Sequence, residues 1–408
     1  MSWTGLRRAA AGLLLTMALM TTAGCWNRRE IESIGFVLAA GIDEAPEQGK
    51  IQVTVQIAKP FAIGGGEAVR GAADEKPFWT VSSTGYTVFE AVRNLLSQSP
   101  RRPFWAHNRF ILIGEGLARK GIRDALDLFC RDGESRLRVW MVVVKGAKAS
   151  DLLQAEFELE RMPSEGGMGL LQGARQGLST IGEGMLNDFL QRLEGEGIDP
   201  IATRAEIVPR PQEFDIRGEL KRETIGGSAR LTGAAVFKDD RLVGWLNKPE
   251  TRGFNWVMGK VRSGIIVIEN PREEGKFIGL EILGARGGFK PEVRNGKVTV
   301  AVKIEADANV GDVQGFIDLL RMPEAWSSME RRMATVIENE VLAAVAKAQE
   351  LGSDIFGFGA ELNRRYPKKW ADEFRDRWDE EFRKIDVEVE VKAKLRRTGL
   401  TTKSSEIR

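Results

Sequence analysis

Apolar and polar residues alternate at period two in three well-separated stretches: Ile51 to Ile57, Val298 to Glu305 and Val387 to Leu395. Successive side chains of a strand point to opposite faces, so each stretch predicts a β-strand with one buried face. Strands of that kind fit antiparallel or mixed sheets better than a doubly wound parallel one. The apolar runs Trp140–Val144 and Ile265–Ile268 lack the alternation and predict more fully buried strands, and Phe110–Ile113 predicts another.

Between these stretches the period changes to that of a helix. Tyr86–Ser97 brings Phe89, Val92, Leu95 and Leu96 to one side, and Ile122–Cys130 does the same with Ala125, Leu126 and Phe129. The longest predicted helix is Pro323–Leu351, opened by its proline and ended by Gly352. Its stripe runs Trp326, Met329, Met333, Val336, Ile337, Val341, Ala344, Ala348. A second C-terminal helix, Lys368–Lys384, carries Trp370, Phe374, Trp378 and Phe382 at i, i+4 spacing. Four large aromatics on one face read as a core seam that docks this helix on the last sheet.

Two segments read as loops. Pro60–Pro77 is small and Gly-rich, and Pro200–Gly227 holds Pro209, Pro211 and Gly226-Gly227. The second reads as the main domain boundary. The expected organisation is a leader over 1–24 and an N-terminal α/β region over 25–220, in one or two subdomains. A C-terminal α+β domain over 221–401 and a short tail over 402–408 complete the chain. The fold class is α+β and multi-domain, with mixed or antiparallel sheets each flanked by helices.

The leader changes the picture. Arg7 and Arg8 precede the apolar run Ala9–Met20, which ends in Thr22-Ala23-Gly24-Cys25. That run is far shorter than the roughly 20 residues that span a bilayer, so it predicts a cleaved export signal. A small-small-Cys ending resembles the lipobox of bacterial lipoproteins, where the cysteine thiol is diacylglycerated and becomes the first mature residue. Thr22 stands where that motif usually has Leu. Cys25 is therefore the candidate lipidation site.

Composition excludes more than it suggests. Apolar residues make up 42% and charged ones 29%, as in a globular body. Lys and Arg number 60 against 58 Asp and Glu, which leaves no bulk field for nucleic acid. With Cys25 acylated, Cys130 has no disulfide partner, and the single His107 excludes a multi-histidine metal site. No cofactor is expected either. Gly64-Gly65-Gly66 lacks the Gly-Lys-Ser/Thr of a phosphate loop, and Gly167-Met168-Gly169 has its next glycine, Gly173, one residue too late for a dinucleotide fingerprint. No Gly-x-Ser-x-Gly elbow occurs. Cys130 reads as a small core residue on its helix rather than a nucleophile, and His107 as a backbone-bonding residue rather than a base. Glu158 with Glu160, and Asp379–Glu381, read as solvated surface carboxylates. Arg131–Arg138 reads as ion-paired surface with an anion-binding role as the minority alternative.

Islands along the chain resemble the Ger(x)C family of spore germination lipoproteins, the C subunits of germinant receptors. They begin at Gly24-Cys25-Trp26-Asn27-Arg28-Arg29-Glu30-Ile31-Glu32, with Asn27 where Asp is more usual. They continue through His107-Asn108-Arg109, Ile113–Gly121, Arg131-Asp132 and Arg136. Further on come Leu231–Phe237, Leu242–Asn247, Glu250-Thr251, Ser353–Gly359, Tyr366-Pro367, Trp370 and Arg396–Gly399. The resemblance implies α/β domains, no catalysis, a lipid anchor on the outer face of the spore inner membrane, and two integral-membrane partners of A and B type. Direct germinant binding stays open. His107–Gly121 and Leu231–Thr251 are the expected organising segments, with Gly114, Gly121, Gly233 and Gly244 as turn makers. The leading function is a lipid-anchored, non-enzymatic subunit of a nutrient germinant receptor. A lipid-anchored solute-binding protein serving a nutrient transporter is the alternative, and a surface hydrolase using His107 or Cys130 a weaker third.

Overall fold

The computed structural model describes residues 30–60, 76–155, 157, 159–182, 184–208, 227–315 and 323–397, with isolated positions between 3 and 13. Cys25, Asn27, residues 61–75 of the Gly-rich segment, Glu158, residues 209–226 and the tail lie outside the described residues.

Strands β1 (Ile34–Glu44), β2 (Ile51–Ala58), β3 (Phe78–Gly85), β4 (Arg102–Phe104), β5 (Phe110–Gly114), β6 (Trp140–Lys145), β7 (Ile201–Val208), β8 (Ser228–Lys238) and β9 (Arg241–Leu246) form one sheet. The order is β3-β2-β1-β5-β6-β7-β8-β9, with β4 beside β1. The centre, β1-β5-β6-β7, is parallel, and antiparallel strands flank it on both sides. A parallel centre needs cover on both faces, and the chain supplies it. Helices α1 (Val88–Asn94), α2 (Glu115–Lys120), α3 (Arg123–Arg131) and α6 (Leu186–Leu193) bring residues such as Val88, Leu117, Leu126 and Phe189 onto Ile111, Ile113, Met141 and Val143. Helices α4 (Ala149–Leu152) and α5 (Pro163–Gly173) close over Phe110, Leu112, Val142 and Val144 from the other side. The uninterrupted run at Trp140–Val144 is thus a strand buried on both faces, as its pattern predicts.

Three features of the first sheet and its helices differ from their sequence pattern. The alternation in β2 predicts one exposed face, yet Thr54 and Gln56 are buried as well. Gln56 Nε2 donates to the Leu153 carbonyl at 3.0 Å, and Thr54 Oγ1 lies 2.8 Å from Ser82 Oγ, so neighbouring elements cover that polar face. Helix α1 is capped by the Thr87 hydroxyl, which accepts the Glu90 N–H. Its buried positions are Val88 and Ala91, continued by Leu95, while Phe89 is 52% and Leu96 42% exposed. In α3 the core contact is made by Ala125, Leu126 and Phe129, and Cys130 is exposed, not a core residue.

A second sheet has the order β10 (Gly264–Glu269), β11 (Phe277–Arg294), β12 (Lys297–Val313), β13 (Asp386–Leu395). The first three are antiparallel, and β13 returns parallel to β12. The β11–β12 hairpin turns at Asn295 and Gly296, both at positive φ (52° and 74°), a two-residue turn whose twist matches paired strands. Helices pack on one face only, so Ile265 (49% exposed) and Val267 (57%) face outward and β10 alternates, against the fully buried strand expected there.

Helix α8 (Pro323–Leu351) lies on the covered face through Met329, Met333, Ile337, Val341, Ala344 and Ala348. Gly352 at φ 67° ends it. Crossing α8 is α7 (Lys248–Val257), capped by Asn247 with Glu250 in a reciprocal box. A Cβ at Gly253 would strike the Glu340 carbonyl of α8, so glycine is what permits the crossing. After α9 (Phe358–Arg365) the expected second C-terminal helix breaks into short α, π and 3-10 turns over Pro367–Phe382. Trp370, Phe374, Trp378 and Phe382 are nevertheless all buried in the core shared with the second sheet.

Residue 220 lies between two strands of one sheet. β7 and β8 pair antiparallel from Ile201↔Val236 to Val208↔Ser228, so the first sheet continues to Leu246. Ile201, Ala234 and Val236 of that sheet share a core with the second.

The fully buried Met333 predicts a sharp contrast along α8. Met333→Ala should cost about 2–5 kcal/mol, whereas Thr335→Ala on the exposed side should stay within about 0.5 kcal/mol, both read from urea midpoints.

Candidate functional site

His107 and Cys130, which chemistry alone singles out, sit on separate elements. His107 ends a 3-10 turn (Trp105–His107), is exposed, and lies against Phe36 (5.1 Å between ring centroids) and Phe104 (5.9 Å). Trp105 of the same turn points inward onto Phe129 at 5.6 Å. Cys130 sits on the outer side of α3, and burial, then Asp127 and Glu194, pushes its thiol pKa up. A raised thiol pKa lowers the thiolate population that nucleophilic chemistry needs. No hydrogen bond or ring contact among the described residues joins it to His107, and no group of three or more metal-ligating residues occurs among them. Glu160 is exposed, as expected, but Asp379 is ion-paired, with its Oδ1 2.6 Å from Lys238 Nζ. In the basic run, Arg131 pairs with Asp127 at 2.7 Å and Glu134 with Arg102 at 3.3 Å. Of the four glycines expected at turns, Gly121 (φ 125°) follows α2 with the required backbone, whereas Gly233 (φ 88°) lies inside β8, at an irregularity in its pairing with β7. At Gly114 and Gly244 the need is space: a Cβ would meet the Asp43 carboxylate and Leu351 respectively.

What the fold does assemble lies at the seam between the sheets. Asp354 is 2% exposed, and its Oδ1 accepts the N–H groups of Gly357 (2.8 Å) and Phe358 (3.0 Å). Its Oδ2 accepts Gly359 N–H (2.8 Å) and Trp378 Nε1–H (3.1 Å). The Asp354 N–H in turn donates to Asp199 Oδ2 at 2.8 Å, and Lys238 Nζ lies 3.2 Å from the same oxygen. Arg192, buried on α6, donates to the Ile355 carbonyl at 2.7 Å, and Ser353 Oγ to the Phe237 carbonyl at 2.6 Å. Burial pushes the Asp354 carboxyl up to about 6, against the pull of the Gly359 and Phe358 N–H groups. Asp199 is likewise raised by burial, with Lys238 opposing.

A cleft of about 480 Å³ opens beside this seam. Arg138 comes from just before β6 and Trp140 from its first position, Arg175 from the π turn after α5, Asp188 from α6, and Lys260 and Arg262 from the α7–β10 connection. Ser179, Ile181, Gly182 and Gly184 line it, and hydrogen bonds from both sides pin this stretch. Asn255 Nδ2 donates to the carbonyls of Ser179 (2.8 Å) and Ile181 (3.0 Å), and Ser179 Oγ donates to Ser263 O (2.8 Å) while accepting Arg262 N–H (3.0 Å). Gly233 N–H donates to Thr180 O at 2.8 Å. At Gly184 a Cβ would collide with the Thr203 hydroxyl, so only glycine lets the segment lie flat on the sheet. Arg175 stacks over the Trp140 ring at 5.7 Å. Burial, and then the charge of Arg175, lowers the Lys260 pKa to about 8. Neither the cleft nor the Asp199–Asp354 pair is visible in sequence spacing, because their members come from segments far apart in the chain. The Ser353–Gly359 island is the one local signal.

Residues 27–207 match the family described as "Spore germination protein N-terminal domain", and residues 232–399 the family described as "Spore germination B3/ GerAC like, C-terminal". "Spore germination protein KC" of Bacillus subtilis (strain 168) is 25% identical over 403 residues, covering 97% of each chain. "Spore germination protein B3" of the same organism is 24% identical over 406 residues, covering 98% of this chain and all of that one. Among solved structures, "Crystal Structure of the GerBC protein" superposes with a TM-score of 0.53 at 19% identity, over 88% of this chain and 98% of that one. That likeness shows a shared α+β fold.

The Asp354 carboxyl gives a signed pH prediction. Its folded pKa lies above the ordinary 3.8, so the stability it contributes is present below about 4 and lost as pH rises through about 6. Asp354→Asn cannot ionise. Between pH 4 and pH 7 the stability gap between variant and wild type should move by about 3 kcal/mol in favour of the variant. Urea unfolding at the two pH values checks this, and a gap that stays constant contradicts it.

Proposed function

The chain belongs to the Ger(x)C family of spore germination proteins, and from that membership we propose that it is a lipid-anchored, non-enzymatic subunit of a nutrient germinant receptor at the spore inner membrane. The observation that carries this reading is a coincidence within one chain. A cationic and apolar leader ends at Gly24-Cys25, and the family match begins two residues later and runs to residue 399. Attachment in this reading falls to Cys25. Two or more acyl chains on that residue hold a protein stably to a bilayer, whereas one holds it only marginally. No helix among the described residues is long and apolar enough to cross a membrane. The spanning parts are assigned to the A- and B-type partners, beside which the anchor holds this body on the outer face.

The raised Cys130 thiol pKa disfavours a cysteine nucleophile there, in keeping with a role without catalysis. In this reading the protein acts by holding partners and transmitting the germinant response through contact surfaces.

Two outcomes are expected in spores. Cys25→Ala leaves the fold intact, moves the protein from the membrane to the soluble fraction, and impairs nutrient germination. Membrane retention at the wild-type level in that variant refutes the anchor. His107→Ala and Cys130→Ala leave germination rates within about twofold of wild type, as expected of exposed groups outside any reacting site. Loss of germination by either stably folded variant would restore the enzymatic reading.

A further inference from the structure

We propose that the cleft at the seam of the two sheets is a binding site for a small anion carrying two or more negative charges, held by Arg138, Arg175, Lys260 and Arg262. This site is independent of the receptor reading and of the lipid anchor.

Charge is the first reason. The described lining residues include four cations and one carboxylate, Asp188. Glu183 lies outside the described residues. Such an excess is unusual for a concave surface, because like charges gathered in a cleft repel one another through its low-dielectric walls. Burial first, and then the charge of Arg175, lowers the Lys260 pKa. An anion seated among Arg138, Arg175 and Arg262 would offset the repulsion between the arginines.

Geometry is the second reason. Three of the four cations are arginines, whose planar forks match carboxylate and phosphate oxygens two at a time. They come from three separate segments, the approach to β6, the turn after α5 and the α7–β10 connection, which the fold brings to one cleft. Trp140 gives Arg175 an aromatic surface to lie on, which limits the orientations of its guanidinium. The lining stretch is held rigid by Asn255 and Ser179, so little ordering is left for a ligand to impose. A volume of about 480 Å³ suits a small organic anion or a lipid headgroup.

Position is the third reason. Arg138 and Arg175 lie within residues 27–207 of the first family match, and Lys260 and Arg262 within residues 232–399 of the second. A bound anion would therefore cross-link the two matched regions.

The test is calorimetry on the full chain in mild detergent. Inorganic pyrophosphate and citrate serve as free anions, acetate as the singly charged control, and dihexanoyl phosphatidic acid against dihexanoyl phosphatidylcholine as the headgroup arm. Saturable binding of pyrophosphate or citrate, with acetate at least about tenfold weaker, supports a free anion as ligand. Binding of the phosphatidic acid alone supports a lipid headgroup. In either case Arg175→Ala with Arg262→Ala should weaken binding about tenfold or more. Arg138→Ala gives an independent check from another element, and Arg331→Ala on the exposed side of α8 should change nothing. The proposal is overturned if none of the anions binds saturably, if acetate binds as tightly as citrate, or if the cleft variants bind like wild type.

Discussion

The carboxylate of Asp354, buried at the junction of the two sheets, is the group on which the rest of the structure most depends. Placing a carboxylate out of water is costly unless its oxygens are fully hydrogen-bonded. Here four N–H groups converge on it, three from the turn Gly357–Gly359 and one from Trp378. That demand fixes the turn, and the turn orients the aromatic rings beside it. Phe356 and Phe358 stack at 4.9 Å with their rings 10° from parallel, and Phe358 also meets Phe289 of β11 at 4.9 Å. On the other side, Asp199 and Lys238 carry the network into the first sheet. A single acid thus sets the positions of the long helix's exit, the aromatic seam and the edge of the larger sheet.

The cleft is a by-product of the same junction. Two layers share a core at Ile201, Ala234 and Val236, and the cleft is lined by Ser179, Ile181, Gly182 and Gly184 with cations from both matched regions. A cleft within one packed body is unlike the hinge of a two-lobed capture protein, where the binding surfaces separate on opening. A ligand held here would act as a strut within one body.

Much of the fold is legible from periodicity, and the failures have definite causes. Helix α8 shows itself because one face meets a continuous core over its whole length, so its stripe, its proline and its terminating glycine agree. β11 escapes detection although it has 18 residues, because Gly279, Gly284, Gly287, Gly288 and Pro291 interrupt its pattern. The need at Gly287 is tertiary: α7 approaches so closely that a Cβ would strike the Trp256 carbonyl. Cys130 and the side of α1 mislead for another reason. In short helices a cap or an early end rotates the buried stripe, and apolar count alone does not reveal the rotation. The cleft and the Asp199–Asp354 pair are out of reach altogether, since charge spacing along a chain carries no trace of which loops a fold brings together.

The pairing of β7 with β8 has a consequence for how the protein could have been built. The two matched family regions meet within one sheet, so neither has a closed boundary of its own. Severed between them, the first would end on β7 with its outer row of N–H and C=O groups bare, and the second would begin with two strands that have no sheet to join. Bare edges of that kind recruit other chains. The regions are therefore better regarded as two halves of one object than as modules in series. Rearrangement of genes that exchanges domains between proteins would find no clean joint here, and the pair would be expected to travel together.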